Sequence, residues 1–265
     1  MAGKTQQIKV GNQVIGGNDF VVIAGPCSIE SKEHFLETAT EVKNQGATLL
    51  RGGMFKLRTD ASSFQGLRSD AFQLAKEVKQ EVGLSFLSEI TDPRQISDLM
   101  DVVDAFQVGS RNMYNYSLLT ELGQTDKPVL LKRGFSGTIK EWLGAAEYIT
   151  KEGNEKVILC ERGIRSFDSN TRNVFDVNAI AFIKANSDFP VIADPSHGTG
   201  VRNLVIPISL AAAAAGADGL MIEVHPHPDQ ALSDGFQTLN FPEFSNLMKS
   251  LKPLLSSVNR KLAVL

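Results

Sequence analysis

The chain has 265 residues, 42% of them hydrophobic, with a formal charge of −3 and a pI near 5.9. This length suits one large domain in the size range of α/β barrels, and the mild acidity excludes a general nucleic-acid or membrane surface, which an excess of Lys and Arg ordinarily serves. Cys27 and Cys160 are too few for a disulfide framework, no stretch approaches the roughly 20 apolar residues that span a bilayer, and Met1 to Val10 has no apolar signal core, so a reducing, cytoplasmic setting is expected.

In chain order, Ile8-Lys9-Val10 and Gln13-Val14-Ile15 flank Gly11-Asn12, a two-residue hairpin turn that reads as a lid on the floor of the fold. From there short β-rich apolar runs alternate with segments of helical period, the pattern of repeated βα units. Strand Phe20–Ala24 precedes helix Ser31–Asn44, strand Thr48–Arg51 precedes helix Asp70–Glu81, and strand Ser85–Ser88 precedes helix Pro93–Met100. Strand Ala105–Val108 is followed by helix Tyr116–Leu122, strand Val129–Lys132 by helix Thr138–Lys151, and strand Val157–Cys160 by helix Asp176–Ala185. Strands Val191–Ala193 and Gly219–Glu223 pair with helices Leu204–Ala215 and Pro242–Leu255, and Gly46 and Gly216 are placed to end two helices. The expected architecture is α/β, a single (β/α)8 TIM barrel with a short N-terminal β-hairpin: residues 1–17 as an extension and 18–265 as the catalytic barrel.

The unusual residues lie at the strand ends. Gly25-Pro26-Cys27 follows the first strand, Arg51 to Thr59 the second, Glu89 the third, and Gly109-Ser110-Arg111 the fourth. Lys132-Arg133-Gly134 ends the fifth, Glu161-Arg162-Gly163 follows the sixth, Asp194-Pro195-Ser196-His197-Gly198 the seventh, and Glu223-Val224-His225 ends the eighth. In a closed barrel these ends converge on one face, where loops carry the chemistry.

Each such residue has an ordinary reading taken alone: a solvated cation, a small buried thiol, a helix cap, an ion-pair partner. Their common position changes the reading. Arg51, Lys56, Arg58, Arg111, Lys132, Arg162 and Arg165 would repel one another at one mouth unless anions neutralised them, and multiply charged phosphate compounds fit that need. Cys27, His197, Glu223 and Asp234 offer a thiolate, an imidazole and two carboxylates from the mouths of strands one, seven and eight. Strands one and eight are neighbours in a closed barrel, so these groups are placed to share one divalent ion; Mn, Fe, Co or Zn all tolerate such ligands.

The segments Ala24-Gly25-Pro26-Cys27-Ser28-Ile29-Glu30, Arg51-Gly52-Gly53, Phe55-Lys56-Leu57-Arg58-Thr59, Gly109-Ser110-Arg111-Asn112-Met113, Leu131-Lys132-Arg133-Gly134, Cys160-Glu161-Arg162-Gly163-Ile164-Arg165, Asp194-Pro195-Ser196-His197, Glu223-Val224-His225 and Ala231-Leu232-Ser233-Asp234-Gly235 together resemble 3-deoxy-D-arabino-heptulosonate 7-phosphate (DAHP) synthase of the short type I beta form, in order along the chain. The resemblance implies metal-dependent condensation of phosphoenolpyruvate with erythrose 4-phosphate and water to give DAHP and phosphate, the first step of the shikimate pathway to chorismate and the aromatic amino acids. By position it implies that Arg111, Lys132 and Arg162, with Arg51 and Ser110, hold phosphoenolpyruvate. Lys56, Arg58 and Thr59 would take erythrose 4-phosphate, Cys27, His197, Glu223 and Asp234 would ligate the metal, and Lys132 and Glu89 would serve proton transfer and water placement.

Leu57 departs from the Pro usual at its position. The related octulosonate synthase, which uses arabinose 5-phosphate, typically shows Lys-Ala-Asn-Arg-Ser-Ser in this loop, so Lys56-Leu57-Arg58-Thr59 sides with the four-carbon aldose. No counterpart of the ferredoxin-like or chorismate mutase module appended in some relatives is expected, and with it no response to phenylalanine or tyrosine through such a module. Rival readings are that octulosonate synthase, a Schiff-base aldolase using Lys132, and a non-catalytic phosphate-binding barrel. A homo-oligomer, dimer or tetramer, is expected because exposed barrel helices commonly pair.

Overall fold

The computed structural model describes residues 5–58 and 60–265; Thr59 lies outside the described residues. Strands β1 (Ile8–Val10) and β2 (Gln13–Ile15) pair antiparallel around the turn at Gly11, whose φ of 56° suits a primed hairpin turn. Alternation in the hairpin puts Ile8, Val10 and Ile15 on its buried face.

Among the described residues, eight parallel strands follow: β3 (Asp19–Gly25), β4 (Leu49–Arg51), β5 (Ser85–Ile90), β6 (Ala105–Val108), β7 (Val129–Lys132), β8 (Val157–Glu161), β9 (Val191–Ala193) and β10 (Gly219–Glu223). Each is bonded to the next and β10 is bonded to β3, with Gly219 beside Val21 and Glu223 beside Gly25, which closes the barrel. The strands are buried on both faces, as a parallel sheet under helices requires. Val21, Ile23, Leu49, Leu87, Leu130, Ile158, Ile192 and Met221 fill the interior together with Ile8, Val10 and Ile15 of the hairpin. The intervening Phe20, Val22, Leu50, Phe86, Phe106 and Leu131 face the helices. The hairpin is thus the floor that sequence patterning anticipated, set against the starts of the strands, where Gln6 donates its backbone N–H to the Asp188 carbonyl at 2.7 Å.

The outer ring consists of α1 (Lys32–Asn44), α2 (Ala71–Val82), α3 (Ile96–Leu99), α4 (Tyr116–Gly123), α5 (Ile139–Thr150), α6 (Val177–Asn186), α8 (Arg202–Ala214) and α9 (Phe241–Ser257), while the short α7 (Pro195–Thr199) follows β9 directly and is buried throughout at the barrel mouth. Ser31, Asn115, Thr138, Asp176 and Asn240 cap helix N-termini through their side chains. Trp142 of α5 is fully buried, and its indole N–H donates to the Leu131 carbonyl at 3.1 Å, pinning helix to sheet.

The structure departs from the sequence reading in detail. The segment expected to be one helix from Pro93 splits into a 3-10 turn, Pro93–Gln95, and the single turn α3. Glu89 lies within β5 rather than after it, and Glu161 is the last residue of β8. His197, read as following a strand in a loop, sits in α7, and a short strand β11 (Lys261–Leu262) pairs with the start of β3.

Because Ile15 packs fully buried between floor and barrel interior, Ile15→Ala is expected to destabilise the fold by about 2–5 kcal/mol, read as a lower urea midpoint; an unchanged midpoint would show that the hairpin is not part of the core.

Candidate active site

Barrel closure sets Cys27, just past β3, beside Glu223 at the end of β10. Gly25 permits the close approach of β3 to β4 on the other side: its φ is 150°, and a Cβ there would lie 2.1 Å from the Arg51 carbonyl oxygen. His197 comes from α7, and Asp234 follows the 3-10 turn Pro228–Gln230 in a left-handed conformation, φ 50°. Cys27, His197, Glu223 and Asp234 each offer a donor atom, and these atoms lie within 4.8 Å of one another.

Fixed polar partners aim each group. Asp194 caps α7, accepting the His197 backbone N–H at 3.1 Å, and its carboxylate also faces His197 Nδ1 at 2.8 Å. That bond puts the ring hydrogen on Nδ1 and turns the Nε2 lone pair toward Glu223 Oε1, 3.2 Å away, and Asp234 Oδ2, 3.8 Å away. Burial drives the His197 imidazole down to about 4, against the pull of Asp194 and Glu223, so the ring is neutral. Glu223 is held by Arg51 at 3.1 Å and Gln237 at 2.6 Å. Burial, with Glu223 and Asp234 close by, pushes the Cys27 thiol up to about 12, although Lys56 and Arg51 pull the other way. Cys27 also contacts Lys56, and its thiol lies 3.2 Å from Asp234 Oδ2.

A neutral imidazole whose free lone pair faces two carboxylates and a thiol is a repulsive arrangement that a cation relieves, and the four together fit a metal ion. Asp194, whose strand-end position alone does not show this role, thus orients His197 and also accepts from Lys132 Nζ at 2.6 Å.

Over this cluster lies a cavity of about 230 Å³ lined by Arg51, Lys56, Arg58, Arg111, Lys132, Arg162 and Arg172, with Asp60, Glu89 and Asp234 as its acidic members. Ser110 and Gln107 add polar groups to the wall. Burial pulls the Arg162 guanidinium down to about 10, a measure of how little water reaches it. The guanidinium carbons of Arg111, Arg162 and Arg165 lie 5.2, 5.0 and 4.8 Å from the centroid of Phe135, whose ring faces all three. Burial holds the Glu89 carboxyl above its ordinary range despite Lys56, Lys132, Arg51 and Arg111 around it, and Gly109 leaves its room: a Cβ there would lie 2.1 Å from Glu89 Oε1.

The structure brings together the site residues expected from the sequence except Thr59, which is not described, and Arg165, which does not line the cavity and packs on Phe135 instead. Arg133 points outward instead, paired with Glu161 at 2.8 Å and Asp176 at 2.9 Å. Cys160 belongs to the barrel interior, its thiol raised by burial. His225 turns away from the cavity toward Glu30 and His34.

Arg172 and Gln237 are the contributors to the ion and anion network that strand-end position does not reveal. Arg172 lines the cavity and lies 3.9 Å from Asp234 Oδ1, and Gln237 holds both Arg172 and Glu223. Neither sits at the end of a strand, the only positional signal available.

Residues 4–258 match the DAHP synthetase I family. The chain is 44% identical over 254 residues to phospho-2-dehydro-3-deoxyheptonate aldolase of Thermotoga maritima, covering 96% of this chain and 75% of that one. It is 34% identical over 248 residues to 2-dehydro-3-deoxyphosphooctonate aldolase of Rhodopseudomonas palustris, covering 87% and 86%. Its fold matches the crystal structure of the Thermotoga maritima phospho-2-dehydro-3-deoxyheptonate aldolase (DAHP synthase) with a TM-score of 0.95 and 43% identity, over 98% of this chain and 76% of that one. A truncated form of 3-deoxy-D-arabino-heptulosonate 7-phosphate synthase from the same organism matches with a TM-score of 0.91 and 41% identity, over 98% and 95%. With a closed (β/α)8 barrel, a four-donor cluster at its rim and a match along nearly its whole length, this chain belongs to the DAHP synthetase I family.

Proposed function

We propose that this chain is a 3-deoxy-7-phosphoheptulonate synthase, a transferase that condenses phosphoenolpyruvate with D-erythrose 4-phosphate and water to give DAHP and phosphate, the entry to the shikimate pathway. The observation that carries the reading is the meeting of four metal-donor side chains beneath a cavity walled by seven cations. In this reading residues 18–265 are the catalytic barrel and 1–17 an extension to it.

Arg111, Lys132 and Arg162, with Arg51 and Ser110, hold the phosphate and carboxylate of phosphoenolpyruvate. Lys56 and Arg58, joined by Thr59, hold erythrose 4-phosphate so that its aldehyde carbon faces C3 of the enol. Cys27, His197, Glu223 and Asp234 hold one divalent ion, Mn, Fe, Co or Zn, which when bound supplies Lewis-acid polarisation of the aldehyde or orders its neighbouring hydroxyl. The enol carbon forms the new carbon–carbon bond, the aldehyde oxygen gains a proton, water adds at C2, and phosphate leaves with its C–O bond broken. Lys132 is the candidate proton carrier at the aldehyde oxygen, and Glu89 is placed to orient the water, a role its raised carboxyl suits. The close ion pair of Lys132 with Asp194, 2.6 Å, disfavours a Schiff base, which needs a free amine at that nitrogen.

Among the described residues no helix is long and apolar enough to cross a membrane, and a cytoplasmic enzyme acting on small phosphates, with neither nucleic acid nor membrane as partner, is the reading these features favour. The exposed rings of Tyr116 and Tyr148, stacked at 4.2 Å on adjacent helices α4 and α5, support a homo-oligomer, dimer or tetramer.

Arg162→Ala is expected to weaken binding of inorganic phosphate about 10–100-fold by isothermal titration, the worth of one charge-assisted contact; an unaltered affinity would remove Arg162 from the anion site. Phosphoenolpyruvate consumption, followed spectroscopically, should stop when a chelator strips the metal and return with added divalent ion. Cys27→Ala and His197→Ala should each lower turnover by about 10²-fold or more with an unchanged circular dichroism spectrum, and full activity in either variant after stripping would overturn the metal site. Erythrose 4-phosphate should support faster consumption than arabinose 5-phosphate. The reverse order would assign the chain to the octulosonate synthases.

A further inference from the structure

Beside the metal-donor cluster, away from the cavity, stands a second group of titratable side chains that the proposed reaction does not use. Glu30 lies in the loop between β3 and α1, three residues beyond Cys27. Its Oε1 accepts the backbone N–H of Leu232 at 2.8 Å, and its Oε2 lies 3.6 Å from His225 Nε2. The ring of His34, at the start of α1, packs on that of His225 with centroids 4.2 Å apart. The same two loops meet again at a buried contact, Ser233 Oγ to Ser28 Oγ at 3.0 Å.

One loop carries Cys27; the other runs from β10 to α9 and carries Asp234. Asp234 holds a left-handed backbone, φ 50°, an uncommon conformation for a residue other than glycine. Asp tolerates this conformation better than most residues, so what matters here is which contacts fix the backbone leading into it. The Glu30 and Ser28 contacts land on Leu232 and Ser233, the two residues immediately before Asp234.

Glu30, His34 and His225 are themselves residue types that bind metals, with donor atoms within 4.8 Å of one another. The hydrogen bonding of His225 argues for a different use. Its Nδ1 accepts the His227 backbone N–H at 2.9 Å, so the hydrogen of the neutral ring resides on Nε2. Toward Glu30 it therefore presents a donor, which suits a carboxylate and not a cation.

We propose that Glu30 is a positioning residue for the divalent ion, clasping the loop that bears Cys27 to the loop that bears Asp234 so that the two donors keep the separation the ion requires. This rests on the assignment of Cys27, His197, Glu223 and Asp234 as ligands. Groups that orient metal ligands from outside typically govern affinity by about 10–100-fold, and that is the effect assigned to Glu30.

The test strips wild type, Glu30→Ala, Glu30→Gln and Cys27→Ala of metal and titrates each with Co²⁺. It reads the thiolate-to-cobalt absorption band, the stoichiometry, the affinity by chelator competition and the thermal midpoint of the metal-free protein. Wild type is expected to bind a single Co²⁺ per chain with a thiolate band that Cys27→Ala lacks. Glu30→Ala is expected to keep the metal-free midpoint and bind Co²⁺ about 10–100-fold more weakly. Glu30→Gln should fall between, since its carbonyl still accepts from Leu232 while its amide meets the His225 N–H. Wild-type affinity in Glu30→Ala overturns the proposal, as does a loss of affinity matched by a collapse of the metal-free midpoint. A second Co²⁺ in wild type that Glu30→Ala removes overturns it in favour of a second metal site. A wild type with no thiolate band overturns the ligand assignment and the clasp with it, a result distinct from failure of the clasp alone.

Discussion

The hydrogen bonding of β10 to β3 is the constraint on which the site depends. It closes the barrel in a register that sets Glu223 beside Gly25, and so brings a carboxylate near the end of the chain against a thiol near its beginning. No local segment holds the four donors; only closure does. The short glycine-lined approach of β3 to β4 adds Arg51 to the same rim. The hydrophobic interior and the hairpin floor beneath it matter to function because they hold this register.

Charge pairing then makes the crowded rim tolerable. Isolated, a buried Glu223, Asp194 or Arg51 would be costly, and each is paired: Glu223 with Arg51, Asp194 with Lys132. Asp194 is the hinge of the arrangement, since one carboxylate caps α7, selects the His197 tautomer and holds the Lys132 ammonium at the cavity wall. The metal donors and the anion-binding cations are therefore one network, and disturbing one side is felt on the other. Cations still outnumber carboxylates on the cavity wall, where Arg58, Arg111, Arg162 and Arg172 join Arg51, Lys56 and Lys132, and that excess gives the cavity its appetite for phosphate esters.

The barrel was readable because buried parallel strands are short, β-branched and aliphatic, and separated by capped helices. Seven of the eight predicted strands begin within one residue of the observed start and end within one residue of the observed end; β5 alone runs two residues longer, which is why Glu89 falls inside it. The site was readable because strand ends converge. What escaped lies where tertiary contacts outweigh local preference. The segment Pro195-Ser196-His197-Gly198-Thr199 has poor helix formers, yet the Asp194 cap folds it into α7. Arg172 reaches the cavity, and Gln237 reaches Arg172 and Glu223 beside it, from connections long enough that no spacing rule places them. Arg133, next to Lys132 at the end of the fifth strand, pairs with Glu161 and Asp176 and is not part of the cavity wall, because successive side chains there point to opposite sides.

The central claim is that Cys27 and three harder donors share one ion. X-ray absorption at the zinc edge of the zinc-loaded protein measures it most directly: the account predicts one sulfur neighbour at about 2.3 Å among nitrogen and oxygen neighbours at about 2.0–2.2 Å. A spectrum fitted by nitrogen and oxygen alone, or by two sulfurs, would contradict it.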